Sequence, residues 1–217
     1  MNKSKEVREA VEAELDFDPL IDPMNITVKS MNGDVALNGT VPSYPQYAEA
    51  ADAARRVAGV TNVHNHLEVT LPPGDYRDDP TLTTMTNDAL ALNIKVPGSV
   101  EATARDGNVT LTGTVGYGSQ RAAAEQAISG LTGVRNIRDD IEITSYADPA
   151  DGTLLVQSAL DRYALIPDDS DVAVNTCGNT VVLSGRVRTW AERDAVVGAA
   201  WMATGVTEVD DNLYITA

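Results

Sequence analysis

Three segments, GDVALNGTV (33–41), GNVTLTGTV (107–115) and NTVVLSGRV (179–187), are versions of one pattern, and this recurrence constrains the chain more than any other feature. Gly39, Gly113 and Gly185 register them at intervals of 74 and 72 residues. Each is followed, 20 residues on, by a second glycine: Gly59, Gly133 or Gly205. A fixed period of this length marks a structural unit used three times. The pair Gly33 and Gly39 is accordingly not a phosphate cradle, because it falls within a hairpin, not between a strand and a helix, and no Lys-Ser/Thr follows.

Within each copy the apolar period first reads as strand. Ile26 and Val28 correspond to Val100 and Ala102 and to Val172 and Val174. After a polar turn the alternation resumes as Val35, Leu37, Gly39 and Val41, with Val109, Leu111, Gly113 and Val115, and Val181, Leu183, Gly185 and Val187 as counterparts. This predicts a hairpin. Asn32-Gly33 and Asp106-Gly107 suit its turn because they tolerate positive φ, whereas the third turn, Cys177-Gly178-Asn179, reads as one residue longer.

The period then changes to that of a helix. Ala50, Ala53, Ala54 and Val57 match Ala124, Ala127, Ile128 and Leu131, and Val196, Ala199, Ala200 and Ala203. Ser43 with Gln46 and Thr189 with Glu192 predict capping boxes, and Gly59, Gly133 and Gly205 are expected to end the helices in left-handed geometry. The alanine-rich stripe makes close helix-to-sheet packing the expected reason for a strand glycine at 39, 113 and 185. A last strand carries Val63, Leu67 and Val69, with Ile137, Ile141 and Ile143, and Val209, Leu213 and Ile215. Ahead of each hairpin lies one more amphipathic segment: Val7, Ala10 and Val11; Leu82, Met85 and Ala89, with Pro80 at the first helical position; and Val156, Ala159, Leu160 and Tyr163.

The expectation is an α+β chain of three tandem αββαβ units, at 1–71, 72–146 and 147–217. The Pro/Gly/Asp-rich stretches 72–80 and 145–152 serve as connections. Units of this size are at the small end of independent stability, so they should pack on one another.

This order, with V-x-L-x-G-x-V, a helix and then GVTNVHNHLEV, GVRNIRDDIEI or GVTEVDDNLYI, resembles the BON domain, named for bacterial osmotic-stress and nodulation proteins. The resemblance covers nearly the whole chain. It implies two helices against a three-stranded mixed sheet in each unit and a non-enzymatic role in osmotic or general stress. It also implies association with phospholipid surfaces or, in one branch, potassium binding. Most two-copy relatives of that family are exported, whereas the sequence as written shows no export signal, and its three copies are read without an attached peptidoglycan-binding or cystathionine-synthase-type module.

Charge narrows the partners. Asp and Glu outnumber Lys and Arg 32 to 16, for a net charge of -16, and the excess is present in every third of the chain. Nucleic acid and strongly anionic bilayers are disfavoured, since both are bound through clustered cations. The N-terminus lacks a signal-peptide core and no segment has the apolar length of a membrane span, so the sequence as written reads as cytoplasmic; a mature form freed of its signal would be periplasmic.

Catalysis is not expected, because no Ser-His-Asp or Cys-His arrangement repeats, and no cofactor is implied. Cys177, the sole cysteine, has no adjacent cation to stabilise a thiolate. His64 and His66 read as surface residues without a third ligand. Asn65, Asp139 and Asp211 are more unusual, placing a short polar side chain at an inward position of the last strand in every copy. They are expected to satisfy backbone donors in the loop after the helix; the sharper alternative is a monovalent or other cation site. Trp190 replaces Tyr44 and Gly118, and Trp201 replaces Arg55 and Ser129. Eleven residues apart, the two tryptophans share a helix face. Trp190, Trp201 and Tyr44 are therefore candidate contacts with a neighbouring unit, a protein partner or lipid. The leading expectation is a stress-response scaffold. A cation sensor and a chaperone-like or assembly adaptor are the alternatives.

Overall fold

A computed structural model describes residues 3–144, 158, 171–203 and 206–216. The first unit runs α1 (Lys3–Phe17), a short 3-10 turn (Pro23–Asn25), β1 (Ile26–Met31), β2 (Asp34–Val41), α2 (Tyr44–Arg56) and β3 (Asn62–Val69). The second repeats it as α3 (Asp79–Leu92), β4 (Glu101–Arg105), β5 (Asn108–Val115), α4 (Gly118–Ser129) and β6 (Asn136–Ile143). The third shows β7 (Asp171–Cys177), β8 (Thr180–Val187), α5 (Trp190–Met202) and β9 (Glu208–Ile215). The amphipathic segment expected around Val156 to Tyr163, the 145–152 connection and Gly205 lie outside the described residues.

Each sheet has the order β1-β2-β3, or its equivalent, with an antiparallel hairpin and a parallel third strand joined through the intervening helix. The fold is α+β, built from three mixed three-stranded sheets. Leu37, Leu111 and Leu183, on the central strands, are fully buried, and so are Ala50, Ala53, Ala54, Ala124, Ile128, Ala199 and Ala200 on the facing helices. One continuous buried cluster runs through the first and second units, and a second cluster fills the third.

Several local readings need correction. The first-helix stripes are Val7, Val11 and Leu15, and Leu82, Thr86 and Leu90, so Ala10 faces solvent and Met85 and Ala89 are only partly covered. Thr86 can be buried because its hydroxyl donates to the carbonyls of Leu82 and Thr83, both at 2.9 Å, leaving no orphaned polar group. Pro80 is the second residue of its helix, not the first.

Neither capping box closes on itself. The Ser43 and Thr189 hydroxyls accept from the backbone N–H of Gln46 and Glu192, but Gln46 Oε1 accepts from Asp22 N (2.8 Å) and Glu192 Oε2 from Arg188 N (2.7 Å). The acceptors tie neighbouring backbone to the helix start. The third hairpin has no extra residue: Cys177 pairs with Thr180 around a two-residue Gly178-Asn179 turn, with positive φ only at Gly178, as in a type II′ turn.

The glycines also have different causes from those expected. Gly39, Gly113 and Gly185 adopt φ of 126, 129 and 124°. A Cβ there would collide with the backbone carbonyls of Asn25, Ser99 and Asp171 at the entry to the partner strand, not with the alanine helix. Gly59 and Gly133 do have positive φ, but helix α2 ends at an extended Val57, and the glycines lie in the following turn. A Cβ at Gly59 would stand 3.2 Å from Val7, so its absence lets the first helix lie against that turn.

Candidate functional site at the helix junction

The helices α2, α4 and α5 begin at corresponding positions of the repeat, Tyr44, Gly118 and Trp190, and each first residue rests on the second half of another of the three. The Tyr44 hydroxyl donates to Glu125 Oε1 of α4 at 3.5 Å. Gly118 packs directly beneath the Trp201 ring of α5. Trp190 in turn lies against Arg55 of α2, whose guanidinium is 4.9 Å from the ring centroid, and donates from Nε1 to the Val60 carbonyl at 3.3 Å. Arg193 occupies a second cation–π position at 5.1 Å. Head-to-tail contacts of this kind close into a ring when the rotation between units allows it. Here three units of one chain close it with a pseudo-threefold sense.

The junction explains the side chains that differ between copies. Where the helix starts with glycine, the opposing position is Trp201; where it starts with Trp190, the opposing position is Arg55; where it starts with Tyr44, the opposing residue is Glu125, with Ser129 one turn on. Each meeting point holds one large aromatic side chain. Burial pushes the Tyr44 hydroxyl up to about 12, with the Glu125 charge adding to the effect. Tyr44, Trp190 and Trp201 all face neighbouring units.

Asn65, Asp139 and Asp211 do not serve the loop after the helix. One oxygen of each accepts the N–H two residues on, at Leu67 (3.2 Å), Ile141 (3.0 Å) and Leu213 (3.0 Å). The other side-chain atom reaches the helix. Asp139 accepts from Arg121 Nε, Asp211 from Arg193 Nε at 2.9 Å, and Asn65 donates to the Tyr47 carbonyl at 2.8 Å. The helix position is the same in every copy: Tyr47, Arg121 and Arg193 each lie 18 residues before the strand residue. Arginine occurs where the strand carries Asp, and tyrosine where it carries Asn. This coupled change is readable from the three copies alone, yet it acquires meaning only once the side chains are seen to touch.

Between α4 and α5 the junction opens into a groove of about 680 Å³, lined by Gly118, Ala122, Ala195, Gly198 and Trp201 with Arg121, Glu125, Asp139 and Asp194. Asp194 is exposed at its rim, and partial desolvation by the packed helix still pushes its carboxyl above the usual range, against the pull of Arg55. Glu125, Asp194 and Arg55 carried no signal in the sequence because none occupies a position that stays polar across the copies.

His64 and His66 stand on the outer face of β3 with nearly parallel rings, centroids 6.3 Å apart. Among the described residues no group of three or more His, Cys, Asp or Glu side chains is placed to hold a metal ion, and no helix is long and apolar enough to cross a membrane. Cys177 is exposed.

The chain is similar to known proteins in three respects. It is 32% identical to osmotically-inducible protein Y of Escherichia coli (strain K12) over 123 residues, an alignment covering 54% of this chain and 61% of the relative, which is less than two thirds of the relative's length. Among solved structures, two of CdsD, a structural protein of the type III secretion system of Chlamydia trachomatis, align over 96% and 97% of this chain and 96% and 92% of theirs. Their identities are 14% and 13% and their TM-scores 0.28 and 0.27. The BON domain model matches residues 3–70, 78–145 and 153–217. With three matches spanning nearly all of its length, the chain belongs to the BON domain family.

Proposed function

We propose that the protein is a non-catalytic binding scaffold of an osmotic-stress response, and that it engages phospholipid surfaces through apolar loop residues, not through its aromatic junction. The observation that carries this reading is Leu20 and Ile94. They occupy the same repeat position, between the first helix and first strand, and are 66% and 100% exposed. Phe17 and Met24 around the first loop and Leu92 beside the second are also exposed. Large apolar side chains presented at equivalent positions are what a shallow interfacial contact requires. The net charge of -16 opposes strongly anionic bilayers, so neutral surfaces are favoured.

Co-sedimentation with zwitterionic and anionic vesicles at low salt tests the reading. Each Leu or Ile withdrawn from water contributes about 1.5–3 kcal/mol, so Leu20→Ser with Ile94→Ser should abolish most binding to zwitterionic vesicles. Absence of binding to either vesicle type sinks the lipid reading. A cation sensor has less support, since Asp139 and Asp211 already bind an arginine and a backbone N–H, and a cation there would have to displace the guanidinium.

A further inference from the structure

We infer that the groove between α4 and α5 is a binding site for a linear organic polycation, with ammonium groups carried on an aliphatic stem. This site is independent of the proposed lipid contact. Its floor, made of Gly118, Ala122, Ala195, Gly198 and Trp201, offers apolar surface to a methylene chain, and its volume of about 680 Å³ is in the range that holds a small organic ligand.

The charges facing it sort into two kinds. Arg121 and Asp139 bind each other, and the neighbouring arginines are held by their own units: Arg55 by Asp52 and Arg193 by Asp211, both at 2.9 Å. Glu125 and Asp194 are left. Among the described residues neither is in an ion pair within 4.0 Å, and Glu125 accepts only the long bond from Tyr44. One carboxylate sits on each wall, on α4 and on α5. A ligand with separated cations and an apolar stem matches that distribution, whereas a hydrated metal ion does not use the floor. The aromatic Trp201 adds attraction for an ammonium group close to its ring. Gly118, where the other two junctions carry Tyr44 and Trp190, lets the Trp201 ring lie flat on the start of α4, so that the ring forms part of the groove lining.

Titration calorimetry of the full chain with spermidine, in a background of potassium chloride, tests the assignment. One saturable site per chain is expected. Because an acidic protein attracts any polycation, two double variants of equal charge are compared. Glu125→Gln with Asp194→Asn should weaken binding at least tenfold, while Glu101→Gln with Glu142→Gln, both exposed on outer strands, should leave it within twofold. Magnesium chloride at matched ionic strength should not compete stoichiometrically. Equal weakening by both variants, no saturable site, or full competition by magnesium would each overturn the proposal, and circular dichroism of the variants checks that all are folded. Vesicle binding by the Glu125/Asp194 variant should be unchanged, so failure here leaves the lipid reading standing.

Discussion

Substituting alanine for Gly118 sets two effects of opposite sign against each other. Alanine is the better helix former, by up to about 1 kcal/mol in a helix interior, so an isolated second unit should gain slightly. In the closed junction, however, a Cβ at 118 would stand 2.9 Å from Trp201 Cδ2 and nearer still to Cε3. Carbon–carbon contacts relax at about 3.7 Å, so relieving Cδ2 alone requires a retreat of about 0.8 Å and Cε3 requires more, and a gap of even the smaller size forfeits a quarter to a half of the dispersion energy across a contact. The ring is rigid, and its own Cβ would lie only 3.2 Å from the new methyl, so helix α5 has to move with it. The expected cost is about 1–3 kcal/mol, typical of overpacking a fitted contact. Urea unfolding followed by tryptophan emission reports it as a red shift in the native state and a lower midpoint for the third unit. The double variant Gly118→Ala with Trp201→Ala should be less destabilised than the sum of the singles. A native-state emission unchanged from wild type together with an unchanged or raised midpoint would refute the closed junction.

Three further outcomes follow from the same geometry. Gly113→Ala, at φ of 129° and with Ser99 C only 3.0 Å from the added Cβ, should cost about 3 kcal/mol or more in thermal unfolding, far beyond an ordinary strand substitution. Arg121→Ala should cost about 1 kcal/mol, and adding Asp139→Asn should return part of it in a double-mutant cycle, because the carboxylate is then not left facing the helix uncompensated. Asp194→Asn should raise stability at neutral pH. Its carboxyl titrates higher folded than unfolded, so the ionised form is disfavoured by folding above that range, and the gain should vanish as pH falls through it in a melting series from pH 7 to 3.

The repeat carried the fold in the sequence because the determinants of each unit are local. Strand and helix periods depend on near neighbours, Asn32-Gly33 fixes its turn through its own φ angles, and Leu37, Leu111 and Leu183 point inward by simple alternation. Structure and sequence pattern part where a residue's reason lies outside its own element. Gly39 is required by the carbonyl of Asn25 across the ladder, and not by the helix alanines. Gln46 reaches back to Asp22 and not to its own helix start. Asn65, Asp139 and Asp211 were visible as an anomaly, but their partners on the helix were not, although the 18-residue covariation was present in the chain.

The sequence by itself therefore determined three repeated α+β units, each with a ββαβ order among the described residues, their cores and their acidic composition, since these rest on periodicity and composition. The tertiary structure alone decided what the units do with their differences. Tyr44, Gly118 and Trp190 share one repeat position and look interchangeable in sequence. Only closure of the ring sets each against a different neighbour, and the smallest of them is the one that admits a tryptophan ring from the opposing helix.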